Sequence, residues 1–292
     1  MKISSEQQAI LDRLKCVRLD ESYESLLSTI VCPEINGQKT GIGELFRDPQ
    51  EIEANRRGTV ASYLVIDDTS QPEPIVLLFF SIRTGELFRQ NPYTPEQIEL
   101  AFDMFQALNI LANNKKSLSA SEVQFLRKNI EKAKEKGIDV ETAKSIANWC
   151  EKYKRDVKEE PTEDIHRVLE VFPGIELKFF GNNEGAKDLW KSFKMPRKMG
   201  ETLFWKFIVP KIEVAGSVVG VEYFYLFAAD QNQTPDEGLI NYYQSRLHFI
   251  GDGELAANKP SFDYQCRFLF QRIEELVRMK EEFFHNFTTP AV

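Results

Sequence analysis

Apolar positions recur at helical spacing over residues 4 to 16 and 22 to 31, and "INGQKTGIGE" then breaks the pattern with glycines. Two nearly unbroken apolar runs follow, "ASYLVIDD" and "PIVLLFFSI", joined by the turn-rich "DTSQPEP". They predict an antiparallel pair of strands over 61 to 67 and 75 to 83. Apolarity on both faces of each run predicts a sheet that is covered on both sides.

From residue 91 to 164 the period changes to that of helices. "TPEQIELAFDMFQALNILA" offers Thr94 as a cap, Pro95 in the first turn and Gln97 to complete a capping box, with Ile98, Ala101, Phe102, Phe105 and Leu108 on one stripe. A second helix is predicted from Ser119, with Glu122 three residues on, to Gly137. A third starts near Asp139 and carries Val140, Ala143, Ile146, Ala147 and Cys150. The charged run "EKYKRDVKEEPTED" closes the segment. The expected division is therefore one α/β domain made of 1–90 and 165–292, with an all-helical insertion at 91–164.

After the insertion, "GIELKFFG" at 174 to 181 reads as a short strand. Residues 200 to about 218 read as a helix bent at Pro210, and "VEYFYLFAAD" as a strand that ends in Asp230. "PDEGLINYYQSRLHF" reads as a helix leading to Phe249, and a last strand and an amphipathic helix finish the chain.

Composition narrows what such a fold does. With 45 acidic and 37 basic side chains in 292 residues, the net charge of -8 argues against DNA and leaves nucleic-acid binding to a local basic patch. No apolar run approaches the roughly 20 residues of a membrane span, and the start of the chain is polar, so a cytoplasmic protein is expected. Cys16, Cys32, Cys150 and Cys266 form no CxxC pair and read as free thiols, so no metal is expected. His166, His248 and His285 lie far apart. No G-x-S-x-G, H-E-x-x-H, G-x-x-x-x-G-K-[ST] or G-x-G-x-x-G occurs. Asp230 at the strand end reads most simply as a cap for the following turn.

One stretch stands out from this background: "PRKMGETLFWKF" at 196 to 207 puts two cations and a glycine before a helix of large apolar residues. The first amides of a helix have no partner inside it, and the helix dipole favours negative charge there. Gly200 permits close backbone approach to an anion, and Arg197 and Lys198 supply counter-charge. Lys187, Lys191 and Lys194 precede them, with Asp188 the opposing charge inside that span. The segment reads as a phosphate cradle.

A strand, R-x-x-G-x-T at a helix start, a second strand "YFYLFAAD" and then "LINYYQSRLHF" resemble the GNAT superfamily of acyl-CoA-dependent N-acetyltransferases, particularly the GNAT-like enzymes of the bacterial toxin type. The similarity covers roughly 20 to 90 and 165 to 270. It implies a central mixed, mostly antiparallel, splayed sheet flanked by helices, and transfer of an acetyl group from acetyl-CoA to an amine. The acceptor would be a small molecule, a protein or an aminoacyl-tRNA. By the same resemblance the cofactor is held by the strand at Phe179 and Phe180 and by Arg197, Lys198, Met199, Gly200, Glu201 and Thr202. Tyr243, or else Tyr242, would protonate the departing thiolate, and Glu176 would act as the base for the amine. Strand alternation puts Glu176 and Lys178 on one face, and Ile175, Leu177 and Phe179 on the other. Two features depart from the family pattern. Thr202 stands where the family has Gly or Ala. Tyr243 stands six residues before Phe249 instead of five, with His248 in place of the glycine. The rival reading is a GNAT-like CoA-binding or protein-interaction module without catalysis.

Overall fold

The computed structural model describes residues 4–32, 34–35, 38–39, 41–69, 73–89, 93–113, 117–152, 171–229, 237–251, 255–258 and 266–287. Asp230, His166 and most of the charged run after 152 lie outside them. Among the described residues no helix is long and apolar enough to cross a membrane. The chain divides into two compact units, Met1–Arg89 with Glu170–Val292, and Gln90–Leu169.

The first unit begins with helix α1 (Ser5–Arg13), started by a capping box between Ser4 and Gln7. Strand β1 (Lys15–Arg18) follows at once. This corrects the expectation of a helix to residue 16. Leu11 and Leu14 keep helical spacing, but Leu14 is already extended, and Cys16 and Val17 pair with the next strand. The second expected helix is a short 3-10 turn, Glu24–Thr29, and helices α2 (Ile42–Phe46) and α3 (Pro49–Arg56) come after it. Strands β2 (Ala61–Asp67) and β3 (Ile75–Arg89) form the predicted antiparallel pair, with β3 continuing beyond 83.

The second unit is helical. α4 (Pro95–Asn113) starts where the Gln97 amide donates to the Thr94 hydroxyl at 3.2 Å, α5 (Ala120–Glu135) where Ser119 and Glu122 close a capping box, and α6 (Val140–Lys152) at Asp139. Its core contains Ile98, Ala101, Met104, Ala133, Ile138, Ala143, Ile146 and Cys150. Gly137 ends α5 in the left-handed region, at φ 80°.

Back in the first unit come β4 (Val171–Asn182), α7 (Lys187–Ser192), a long helix α8 from Met199 to Val219, β5 (Tyr223–Ala229), α9 (Glu237–Leu247), β6 (Leu255–Ala257), β7 (Cys266–Arg272) and α10 (Ile273–His285). The expected bend at Pro210 takes the form of a π turn over Phe204–Ile208. Pro210 has no N–H for the Lys206 carbonyl, and Val209 donates instead to Phe204, one residue further back.

Among the described residues, seven strands make one sheet in the order β1-β2-β3-β4-β5-β7, with β6 on β3. Every pairing is antiparallel except β4 with β5. That parallel contact holds only at Gly174 with Tyr223, Ile175 with Phe224 and Glu176 with Tyr225. Beyond it β4 stays with β3 as far as Asn182, and β5 stays with β7 as far as Ala229. The two central strands therefore diverge, and a wedge opens in the sheet from a vertex at Glu176.

Beside the vertex β4 carries a bulge. Ser81 faces Phe179 and Ile82 faces Leu177, which leaves Lys178 as the extra residue. The bulge shifts the alternation, so the expected face of Ile175, Leu177 and Phe179 is corrected. Ile175 and Leu177 join the core under α1, α8, α9 and α10, together with Leu11, Phe204, Leu247 and Leu276. Phe179 joins the opposite core with Leu27, Phe46 and Phe79. A third cluster, Leu87, Tyr223, Tyr225, Leu255 and Phe270, covers the far end of the sheet.

Candidate functional site

The open end of the wedge meets the start of α8. The first turn of that helix is closed by the Thr202 amide donating to the Lys198 carbonyl at 3.0 Å, which leaves the amides of 199 to 201 without helical partners. No side chain caps this end, because Lys198 holds the cap position in an extended conformation. The loop before it is pinned twice. Trp190 donates its indole N–H to the Arg197 carbonyl at 3.2 Å, and Gln7 donates to the Lys194 carbonyl at 2.6 Å.

Three polar atoms around this helix start are buried without a hydrogen-bond partner: Asn182 Oδ1, Arg197 Nε and Thr202 Oγ1. Each leaves a desolvation cost of about 1–3 kcal/mol uncompensated. Gly200 lies between two of the elements involved. A β-carbon there would stand 2.9 Å from Asn182 Oδ1 and 3.0 Å from the Tyr242 hydroxyl. The end of β4, the start of α8 and the middle of α9 thus converge on one glycine. Their unused donors and acceptor suit a ligand that brings both phosphate oxygens and amide groups.

The basic segment is more neutralised than its sequence implies. Lys187 pairs with Glu184, Lys191 with Asp188 at 2.8 Å, and Arg197 Nη1 lies 3.9 Å from Glu201 Oε1. Asp188 is therefore not the one opposing charge, because Glu184 precedes the counted span and Glu201 follows it. Glu201 is 5 % exposed, and burial pushes its carboxyl up from the usual range against the pull of Arg197, Arg246 and Lys198. Met199 packs into the core, and Lys198 is exposed.

The two tyrosines of α9 point to different places. Tyr242 carries its hydroxyl to the glycine. Tyr243 is buried, its ring 6.4 Å from Phe180 and 6.1 Å from Phe249. Burial raises both phenols above their ordinary range, so both stay protonated at neutral pH. His248 holds a left-handed conformation at φ 59°. The helix ends in a wide turn, with the Phe249 amide donating to the Tyr243 carbonyl at 3.0 Å.

At the vertex, Glu176 is 3 % exposed and bound on two sides. Arg83 Nε donates to its Oε2 at 2.7 Å, and Tyr225 is hydrogen-bonded to it, with burial and Glu176 together raising that phenol. The Tyr225 side chain lies over Gly85, where a β-carbon would strike its hydroxyl, and beside Gly174, where a β-carbon would strike Leu87 first. Arg83 and Tyr225 went unnoticed in the sequence, since only the register of three strands brings them to Glu176. Lys178, the bulged residue, is mostly buried beside the Phe179 ring and pairs with Glu51 of α3, whose Oε2 is buried without a partner. Asn182, also unforeseen, stands out in the sequence only as the first polar residue after "KFFG".

No described protein family matches the chain, and no curated protein matches it. Among solved structures it is similar to AtaTR bound with AcCoA, with 13% identity over 92% of this chain and 98% of that one and a TM-score of 0.45. A tyrosine mutant of KacT gives 10% identity over 91% and 99% with a TM-score of 0.46. AtaT complexed with acetyl-methionyl-tRNAfMet gives 13% identity over 91% and 98% with a TM-score of 0.40.

Proposed function

We propose that this chain is a GNAT-like N-acetyltransferase that takes acetyl-CoA in the wedge between β4 and β5 and acylates an amine. The observation that carries the reading is the meeting of three unsatisfied buried polar atoms and a glycine-lined helix start at the open end of a parallel strand pair that has come apart. The resemblance of "RKMGET" and "YFYLFAAD" to that superfamily agrees with it.

The residues divide the work along β4. At the Asn182 end, the amides of Met199, Gly200 and Glu201 would hold the diphosphate, with Arg197 Nε and the Thr202 hydroxyl as further donors. The Asn182 amide oxygen and the Tyr242 hydroxyl serve the adjoining arm. The bulge at Lys178 is about 13 Å away at the usual rise of a strand, and residues there and at the vertex would meet the acyl end. There the broken ladder at Lys178 and Phe179 leaves a backbone amide to receive the thioester oxygen.

Tyr243, packed beside Phe180 on the strand that carries the arm, is the proton donor to the thiolate. Tyr242, held at the cradle, is a binding residue. The Tyr243 phenol is protonated at neutral pH and so has a proton to give to the departing thiolate. Glu176 accepts the proton of the amine through water, since its direct contacts belong to Arg83 and Tyr225. The acetyl group itself comes with the bound thioester. The amine is that of a small molecule, a protein or an aminoacyl-tRNA.

The test is calorimetric titration of the full chain with acetyl-CoA, followed by thiol release with a panel of primary amines and bulk aminoacyl-tRNA. Binding with amine-dependent release supports the enzyme. Binding without release for any acceptor favours the rival, a CoA-binding module without catalysis. No binding overturns both.

A further inference from the structure

Glu201 is the one feature of the cradle that works against its proposed ligand. It is a buried carboxylate in the first turn of a helix whose unpaired amides and neighbouring arginine would otherwise attract phosphate. Its cation contacts are loose. The Arg197 guanidinium comes no closer than 3.9 Å, and its Nε has no partner at all. The charged and titratable groups around Glu201 are Arg197 and Lys198 from the loop and Tyr242 and Arg246 from α9. The end of β4 adjoins the same turn through Asn182, which is neutral.

We infer that Glu201 makes cofactor binding proton-linked: when a diphosphate engages Arg197, Glu201 takes up a proton, so affinity falls as the pH rises. This rests on the reading of the cradle as a CoA site. The reasoning is electrostatic. Arg197 is the charge that most strongly favours the ionised form of Glu201 against burial, and Lys198 is exposed to solvent. A ligand with two negative charges takes that guanidinium for itself and adds repulsion of its own. A buried carboxylate that loses its partner binds a proton in preference to staying charged. The proton lands on a Glu201 oxygen and comes from solvent, and no covalent bond changes.

Linkage fixes the sign. Glu201 has a higher affinity for protons in the bound form than in the free form, so binding is tightest where protons are available and weakens with rising pH across the interval between the two titrations. The free form already lies above the usual carboxylate range. The weakening therefore extends upward from there.

The experiment titrates the full chain with CoA at several pH values between 6 and 8.5, each in two buffers of different ionisation enthalpy, to count protons taken up. Glu201→Gln is measured alongside, and Glu201→Asp serves as the conservative control. Thermal unfolding verifies that each variant is folded. The 3′-phosphate of CoA titrates in every case alike, so the difference between variants isolates the carboxyl. Net uptake by the unmodified protein and the Asp variant, with Kd rising severalfold, against a smaller uptake and a flatter Kd in the Gln variant, supports the inference. Uptake that Glu201→Gln leaves unchanged overturns it while the CoA site stands. No binding of CoA by the unmodified protein overturns the site and the inference together.

Discussion

The hydroxyl of Tyr242 lies 3.0 Å from the point where a β-carbon on Gly200 would stand, and Asn182 flanks that point at 2.9 Å. Gly200 is the second residue of α8. Gly200→Ala should cost little stability, since what it displaces is two side-chain ends. Those ends are what the proposed ligand uses. The expected outcome is a loss of at least roughly tenfold in acetyl-CoA affinity, about 1.4 kcal/mol, with the thermal midpoint close to that of the unmodified protein. A variant that binds normally would remove Gly200 from the site.

The roles of the two tyrosines are separable by kinetics. Tyr243→Phe, which removes the proposed donor, should lower kcat by roughly 10²-fold or more, the usual range for a lost general acid, and leave acetyl-CoA affinity nearly unchanged. Tyr242→Phe should do the reverse, weakening acetyl-CoA binding by about the 0.5–1.5 kcal/mol of a neutral hydrogen bond to the arm beside the diphosphate. Thiol release in the presence of an accepted amine gives both values. The opposite pattern would exchange the two assignments.

Much of this architecture can be read from the chain, and what cannot has identifiable causes. The strands at 61 and 75 announce themselves by unbroken apolarity, and the helical insertion by two capping boxes, Thr94 with Gln97 and Ser119 with Glu122. β1 escapes because its four residues, half-exposed at the sheet edge, continue the spacing of the helix before it. Phe179 is assigned to the wrong face because a period of two presumes an unbroken ladder, and Lys178 breaks it. Glu201 sits inside the very stretch that looks like a cradle. Its burial against Arg197 and α9 depends on how that helix packs, which spacing does not reveal.

The vertex pair yields a stability prediction. Glu176 is almost fully buried, whereas the Arg83 side chain is 34% exposed. Removing Arg83 leaves a buried charge with one neutral hydrogen bond from Tyr225. Removing the charge of Glu176 leaves a cation that water can still reach. Arg83→Ala should thus cost about 3–5 kcal/mol, and Glu176→Gln distinctly less. The double variant should recover part of the Arg83→Ala loss. Denaturant unfolding of the three variants checks this, and strict additivity would show that the pair is not coupled.

Asp67, the last residue of β2, links stability to acid. Asp67 is fully buried, and burial alone would raise its carboxyl, but the hydroxyl and amide of Thr69 and the guanidinium of Arg13 at 2.8 Å hold it below the ordinary value. A carboxyl lowered in the folded state stabilises the protein above its unfolded value of about 3.9, and the contribution is lost as the pH falls through the folded value. Asp67→Asn should therefore lower the unfolding midpoint at pH 7. The difference from the unmodified protein should shrink once the pH drops below about 4, because protonation then removes from both the charge that the substitution removed from one. A difference that stays constant from pH 7 down to pH 3 would mean that Asp67 contributes by shape and neutral hydrogen bonding, with its pairing to Arg13 adding nothing. Arg13→Gln tests the pair from the other side: it also removes the guanidinium lying 5.3 Å over the Phe193 ring, so only the part of its loss that fades below about pH 4 belongs to the pair.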